Sequence, residues 1–254
     1  MPKNLSRLMC YRRREEMDFT ECPKDAWAIE PKNTALVVVD MQRAFLEKGA
    51  PIALPGGIAL IPKINELAAL CRELKIPVIF LKSDRRADLS DSGLMWDMRP
   101  GRPDDELEPL QGRKGNEFYP GLLITPDDYI VPKVRYSAFI PGSSSLEPLL
   151  RGLGRGSFII CGVATDVCVE ITAADAMMLG FKVFVVGDLT ATSSEEHQRV
   201  ALEVMDKCFA KVMTFKQVMK ELKIRAEKAG IQDVSISLFQ YKMSLEGVSI
   251  SNAR

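Results

Sequence analysis

The sequence predicts an α/β fold, a doubly wound, Rossmann-like parallel sheet flanked by helices. Several short β-branched runs are apolar nearly throughout and do not alternate, which indicates strands that are covered on both faces. Longer segments with helical periodicity separate these runs, and a repeated strand-then-helix order is typical of a parallel sheet. We expect one large domain, because 254 residues with a hydrophobic content of 46% can bury a complete core.

Six strands and five helices can be assigned in chain order. Strands are expected at Ala35–Val39, Pro77–Leu81, Tyr129–Val131, Ser157–Cys161, Lys182–Val186 and Lys211–Met213. Helices are expected near 58–74, 145–152, 167–179, 195–208 and 215–229. The domain is therefore expected to span 34–230, between a polar N-terminal extension, 1–33, and a C-terminal tail, 231–254.

One long segment departs from this rhythm. Residues 83–128 lack clear periodicity and are rich in Gly, Pro, Arg and Asp. A loop of this length inside a compact domain is usually functional. We therefore expect an irregular segment that forms a lid or an oligomer contact.

Composition and charge exclude several classes of partner. Thirty-four acidic residues balance 34 basic ones, so neither a nucleic-acid footprint nor a polybasic membrane face is expected. The first residues lack the apolar core of a signal peptide, and no apolar run approaches the roughly 18 residues of a membrane helix. We expect a cytoplasmic protein with no nucleic-acid and no membrane partner.

The cysteines do not have the spacing of a metal site. Six of them occur without any CxxC pair, and the single histidine, His197, has no evident partner and is interpreted as structural or solvent-exposed. The cysteines are Cys10, Cys22, Cys71, Cys161, Cys168 and Cys208. A zinc site built from Cys and His is therefore not expected. In a cytoplasmic setting these thiols should be reduced, and most should be small buried apolar residues.

Three reactive side chains stand where expected strands end. Asp40 follows the first strand, Lys133 the third, and Cys168 follows the fourth strand and its turn. Active sites of open parallel sheets form outside the carboxyl ends of the strands, so an acid, an amine and a thiol should meet there. Each also has an ordinary explanation: a turn residue for Asp40, a solvated surface lysine for Lys133, and packing beneath the sheet edge for Cys168.

The position of Cys168 offers a reason for reactivity. Thr165 or Asp166 can act as the N-cap, which places Cys168 in the first helical turn. The helix dipole and unpaired amides favour a thiolate there, and the amides could stabilise an oxyanion. Asp40 could serve as a general base, while Lys133 could hold Asp40 ionised and lower the thiol pKa.

These residues lie in motifs that resemble the isochorismatase-like cysteine hydrolase family. The motifs are ALVVVDMQRAF around Asp40, VPKVRYSAF around Lys133, CGVATDVCVEITAADAMMLGF around Cys168, and DLTATSSEEHQRVALEVM. The resemblance covers roughly residues 33–215 with matching order and spacing. It implies a six-stranded sheet of order 3-2-1-4-5-6, a catalytic triad of the three residues, and a cis peptide between Val163 and Ala164. The oxyanion would be held by the backbone amides of Ala164 and Cys168.

The activity that the resemblance implies is hydrolysis of a C–N bond in a small linear amide, carbamoyl or ureido compound. The reaction would pass through a thioester, release ammonia and need no cofactor, in a homo-oligomer, either a dimer or a tetramer. The zinc-binding branch carries an Asp-x-His-x-x-His pattern where this chain reads SDRRADLSD, without histidine, so no metal is expected. SDRRADLSD and the lysine motif look most similar to ureidoacrylate, biuret and N-carbamoyl amidohydrolases. Two alternatives stay open, an isochorismatase-type vinyl-ether hydrolase and a catalytically silent scaffold of the same fold.

Substrate contacts are the least determined part of the site. Six residues near the three motifs in sequence could line a small pocket, and each could equally be a packing or surface residue. They are Phe45, Arg85, Trp96, Arg135, Tyr136 and Phe139. Arg85 and its neighbour Arg86 could meet a substrate carboxylate.

Overall fold

The structure, a computed structural model, describes residues 23–54, 56–99 and 101–228. Six parallel strands form one sheet of order β3-β2-β1-β4-β5-β6, which confirms both the fold class and the strand order. The strands are β1 Thr34–Val39, β2 Val78–Ser83, β3 Tyr129–Lys133, β4 Ser157–Val163, β5 Lys182–Ala191 and β6 Lys211–Met213. The order reverses between β1 and β4, so the ends of these two strands form the switch point where sites are expected.

Helices cover both faces of the sheet. They are α1 Arg43–Leu46, α2 Ile61–Glu73, α3 Leu146–Gly152, α4 Glu170–Met178, α5 Glu195–Cys208 and α6 Phe215–Lys228, with a π-helical turn, Thr165–Val169, before α4. Short 3₁₀ turns occur at Pro23–Ala26, Pro31–Asn33, Gly57–Leu60, Gly93–Met95 and Lys114–Asn116. The sequence missed α1 and the 3₁₀ turns because they are too short to show periodicity. No helix within the described ranges has the length and apolar character needed to cross a membrane.

The core explains why the strands do not alternate. All six residues of β1 are buried. On one face Val38 packs with Phe80 and Phe184, and on the other Val37 packs with Phe158. Apolar side chains are therefore needed on both faces of the central strand, and its one polar residue, Thr34, is satisfied by hydrogen bonds to Ser157 Oγ and the Glu30 carbonyl.

Strand β4 passes closely beside β1 at the end where the site forms. Gly162 pairs with Val39 and has φ +111°, and a Cβ at this position would lie 2.2 Å from the Val39 carbonyl oxygen. Only glycine tolerates this backbone conformation and this close approach. β4 and β5 both run further than the sequence predicted, because Gly162, Gly187 and Asp188 interrupt the apolar runs without ending the strands.

Part of the N-terminal extension packs against the domain. Ile29 is completely buried, and its backbone N–H donates to Glu221 Oε1 at 2.6 Å. Trp27 lies edge-on to Phe184, with 6.4 Å between ring centroids. The compact unit thus begins before residue 34, which isolated apolar residues could not reveal by periodicity. Residues 1–22, and the tail 231–254, lie outside the described residues.

The β2–β3 connection, residues 84–128, is held to the end of β1 by side-chain amides. Gln42 Nε2 donates to the carbonyls of Ser83 and Asn116, both at 2.9 Å. Asn116 Nδ2 donates to the Ser83 carbonyl and to Asp84 Oδ1, both at 3.0 Å. Hydrogen bonds between distant parts of the chain thus fix a segment whose described residues form two short 3₁₀ turns but no α-helix or strand.

Candidate active site

The three predicted side chains meet at the carboxyl edge of the sheet. Lys133 Nζ lies 2.8 Å from Asp40 Oδ2 and 3.4 Å from Cys168 Sγ. Asp40 is 0% exposed, Lys133 is 1% exposed and Cys168 is 6% exposed. An acid, an amine and a thiol therefore share one almost water-free cluster, which we call the sheet-edge cluster.

Asp40 is placed by a sharp turn at the end of β1. Its φ is +51°, a left-handed conformation that Asp tolerates better than most residues. The Asp40 N–H donates to the Leu81 carbonyl at 3.1 Å, and the Asp40 carbonyl accepts from the Gln42 N–H at 2.7 Å. The backbone is fixed on both sides, and the carboxylate contacts Lys133 through Oδ2 and interacts with the Cys168 thiol. The carboxylate is thus placed to accept the thiol proton.

Lys133 reaches the cluster from two strands away. It ends β3 and pairs with Ser83 of β2, so its side chain extends past β2 toward the end of β1. Its ammonium also donates to the Arg135 carbonyl at 3.1 Å. Burial opposes the charge on Lys133, but Asp40 and Cys168 together outweigh burial, and the pKa of Lys133 is raised. The lysine is therefore held protonated.

Cys168 stands on a turn that differs in detail from the expected one. The peptide between Val163 and Ala164 is cis, and a π-helical turn begins at Thr165. The carbonyl of Ala164 accepts from the N–H of Val169 at 3.0 Å. The prediction that Thr165 or Asp166 caps this helix is wrong, since Ala164 occupies the cap position without a side-chain hydrogen bond.

Thr165 and Asp166 make other contacts instead. The Thr165 hydroxyl donates to Gln198 Oε1 at 2.6 Å, and the Thr192 hydroxyl donates to Asp166 Oδ1. Asp166 Oδ2 also lies 3.4 Å from Nδ1 of the largely exposed His197. Both side chains therefore anchor the turn to α5 and to the residue that follows β5.

The thiol of Cys168 is less acidic than the sequence led us to expect. Burial raises its pKa to about 12, the Lys133 charge lowers it in part, and the Asp40 charge raises it again. Lys133 lowers this pKa as expected, but the expectation of a thiol more acidic than usual is wrong, because burial of the thiol outweighs the Lys133 charge. Cys168 is therefore a protonated thiol at neutral pH, and its activation requires a base beside it.

The six predicted pocket residues fall into different environments. Arg85 is 3% exposed and interacts electrostatically with Cys168 and Tyr136, both of which lie on this side of the sheet. Tyr136 and Phe45 are half-buried, on opposite faces of the sheet. Arg86, the neighbour of Arg85, is exposed and pairs with Asp88 at 2.9 Å.

Three of the six are occupied by other contacts. Phe139 packs in the core, with 5.9 Å between its ring centroid and that of Phe158. The Arg135 guanidinium donates to the backbone carbonyls of Asp91 and Val134. Trp96 lies beneath the guanidinium of Arg99 at 4.7 Å. These contacts account for the positions of all three side chains without a ligand.

Sequence reasoning missed several residues that shape the site. Gln198 holds the turn through Thr165, Gln42 ties the β2–β3 connection to the end of β1, and Arg99 forms a buried ion pair with Glu108. One feature of the sequence could have identified Gln42, which is its position two residues after Asp40. No feature of the sequence could have identified the Arg99–Glu108 pair, because a loop sequence does not predict which charged side chains become buried together.

No group of His, Cys, Asp or Glu within the described ranges has the arrangement of a metal site.

Comparison with known proteins places the chain in a family. Residues 34–217 match the Isochorismatase domain, and the chain belongs to this family of hydrolases. It is 32% identical to a protein of Arabidopsis thaliana named probable inactive nicotinamidase, over 75% of this chain and 97% of that protein. It is 33% identical to the ureidoacrylate amidohydrolase RutB of Pseudomonas syringae, over 68% of this chain and 76% of that protein.

A solved structure has the same fold. A cysteine hydrolase from Pseudomonas syringae pv. phaseolicola superposes with a TM-score of 0.72 at 28% sequence identity, over 78% of this chain and 96% of that chain. The recognition drawn from the sequence motifs is therefore confirmed.

Proposed function

We propose that the protein is a cysteine-dependent amidohydrolase that cleaves a C–N bond in a small linear amide, carbamoyl or ureido compound. The single observation that carries this proposal is the contact of Lys133 Nζ with Asp40 Oδ2 at 2.8 Å and with Cys168 Sγ at 3.4 Å. Relatives named amidohydrolases, such as RutB, support the reaction class.

Each member of the sheet-edge cluster has a task that follows from its surroundings. Cys168 is a neutral thiol at rest, so its proton must leave as the sulfur attacks the substrate carbonyl. The Asp40 carboxylate, which interacts with the thiol, takes that proton. Lys133 stays protonated and offsets the negative charge that moves from the carboxylate to the sulfur.

The bond changes then balance in two half-reactions. Attack of the sulfur forms a tetrahedral intermediate, whose oxyanion we assign to the backbone amides of Ala164 and Cys168. Asp40 returns its proton to the leaving nitrogen, the C–N bond breaks, and ammonia departs from a primary amide or carbamoyl group. The acyl group remains as a thioester on Cys168. A water molecule, deprotonated by Asp40, cleaves the thioester and regenerates the thiol.

Ammonia release tests the proposal. Wild type and Cys168→Ser would be assayed with ureidoacrylate, biuret, N-carbamoyl amino acids, maleamate and nicotinamide, without added metal. We expect at least one compound to release ammonia with the wild type and at least 10³-fold more slowly with Cys168→Ser. Acid quenching during turnover should leave the acyl group on Cys168, detected by mass spectrometry.

Cys161→Ala is a matched control. Cys161 is completely buried, and burial raises the pKa of its thiol to about 12, as at Cys168, but it lies within β4 and outside the sheet-edge cluster. Activity should survive in Cys161→Ala. Full ammonia release by a folded Cys168→Ala variant would overturn the thioester mechanism, because the C–N bond would then break without the thiol. Inactivity of the wild type on all compounds, with no acylated Cys168, would favour a silent scaffold.

A further inference from the structure

Arg85 carries a buried guanidinium, two of whose nitrogens have no hydrogen-bond partner among the described residues. It is 3% exposed, and its Nε and Nη1 atoms are enclosed but donate to no acceptor among the described residues. An arginine side chain stays charged in proteins, and a buried charge is normally paired or hydrogen-bonded. The unpaired guanidinium is therefore a feature that the fold itself does not explain.

The other buried charges near Arg85 form ion pairs with each other and leave the charge of Arg85 uncompensated. In the β2–β3 connection, Arg99 pairs with Glu108, whose side chain is 0% exposed. In the sheet-edge cluster, Lys133 pairs with Asp40. Each pair is formally neutral, so the buried region formed by these five residues carries one excess positive charge, on Arg85. Burial and the Arg99 charge lower the pKa of Arg85, and the Glu108 charge offsets this lowering only in part.

The backbone of Arg85 is fixed by the β2–β3 connection. The Arg85 carbonyl accepts from the Gln111 N–H at 2.8 Å, and Arg85 forms a parallel bridge with Leu110, which is completely buried. Held in this way, the guanidinium interacts electrostatically with Cys168. Arg86, one residue later, is exposed and pairs with Asp88. The two adjacent arginines thus have opposite environments.

We infer that Arg85 is the binding site for a carboxylate of the substrate. The substrate would be an amide or ureido compound with one carboxylate, because one positive charge is uncompensated. A planar guanidinium can bind a carboxylate through two hydrogen bonds, which would orient the scissile carbonyl toward Cys168. This inference rests on the proposed amidohydrolase function and adds the substrate class.

Paired substrates test the inference in the full chain. The pairs are 3-ureidopropionate with propylurea, and succinamate with butyramide, which differ by replacement of the carboxylate with a methyl group. We expect the wild type to favour the acid in kcat/KM for at least one pair. In Arg85→Met this preference should fall by about 10- to 100-fold, mainly through KM, the loss typical of a hydrogen bond to a charged group. Arg86→Met is the control and should keep the wild-type preference.

A different result would assign Arg85 another role. If Arg85→Met slows the acid and its neutral partner by the same factor, Arg85 acts on the sulfur or on the fold, and the carboxylate site is wrong. A wild type that favours the neutral partner in both pairs would also overturn it.

Binding to Cys168→Ala separates the inference from catalysis. Titration calorimetry with this variant should detect tighter binding of at least one acid than of its neutral partner. Adding Arg85→Met should abolish the difference, whereas adding Arg86→Met should preserve it. Equal or absent binding of acid and neutral compound in both pairs would refute the carboxylate site. Failure of the amidohydrolase function would instead appear as no ammonia release by the wild type, or as release that does not depend on Cys168, whatever the calorimetry shows.

Discussion

The sheet-edge cluster and the β2–β3 connection both bury charged side chains, but they hold them in different ways. Asp40 and Lys133 stand at strand ends, where the parallel ladder fixes their backbones. Arg99 and Glu108 lie in irregular chain, where their side chains pair with each other and Arg99 also stacks on Trp96. The difference indicates that backbone pairing positions the reacting groups, while side-chain contacts position the charged groups that surround them.

The largest expected effect is on catalysis at the sheet-edge cluster. Asp40→Asn preserves the size of the side chain but removes both the proton acceptor and the counterion of Lys133. We expect kcat to fall by about 10²- to 10⁴-fold, the usual contribution of a general base. Steady-state ammonia release would measure it, with circular dichroism to verify folding.

Asp84→Asn is the matched change in the β2–β3 connection. Asp84 accepts from Asn116 Nδ2 at 3.0 Å but does not belong to the cluster. We expect Asp84→Asn to lower kcat by no more than a few-fold. If both variants lose activity equally, the proposed division between the two regions fails.

The second-largest expected effect is on the free energy of unfolding, and it comes from a substitution in the β2–β3 connection. Arg99→Met leaves the fully buried Glu108 without its ion-pair partner, which typically costs about 3–5 kcal/mol of unfolding free energy. Arg85→Met removes a charge that has no partner in the described part of the chain, so stability should stay constant or rise. Urea denaturation of both variants at pH 7 would measure the contrast. Equal destabilisation would mean that Arg85 has a structural partner, against the carboxylate site.

The smallest expected effect is on stability at alkaline pH, and it comes from a cysteine within the sheet. Burial raises the pKa of Cys161 from its ordinary value of 9.0 to about 12. Above pH 9 the unfolded chain releases this proton and the folded protein retains it, so stability falls with rising pH until about pH 12. One thiol contributes up to about 1.4 kcal/mol per pH unit in this window.

Cys161→Ala should therefore flatten the alkaline slope by that amount. Urea unfolding at intervals between pH 9 and 10.5 would give both slopes. Residues 84–128 contain no cysteine, so this alkaline weakness is confined to other parts of the chain. Parallel slopes for wild type and variant would show that the Cys161 thiol does not titrate on unfolding.

The sequence predicted the sheet-edge cluster much better than it predicted the β2–β3 connection. The apolar runs located all six strands, and the strand ends located Asp40, Lys133 and Cys168, because a parallel sheet places such ends together. The β2–β3 connection was recognised only as irregular. Its buried Glu108 and its anchor Gln42 depend on contacts between residues far apart in sequence, which have no local pattern.

The acidity of the thiol shows most clearly where sequence reasoning ends. A cysteine near a helix start suggests a lowered pKa, but burial decides the outcome and raises the pKa of Cys168 to about 12. The sequence by itself determined the sheet, the strand ends and the identity of the three reactive side chains, because hydrophobic periodicity is a local property. Only the tertiary structure decided how much water reaches each charge and which charges find partners. Desolvation and ion pairing depend on every segment packed around a group, and these set the protonated thiol of Cys168 and the unpaired guanidinium of Arg85.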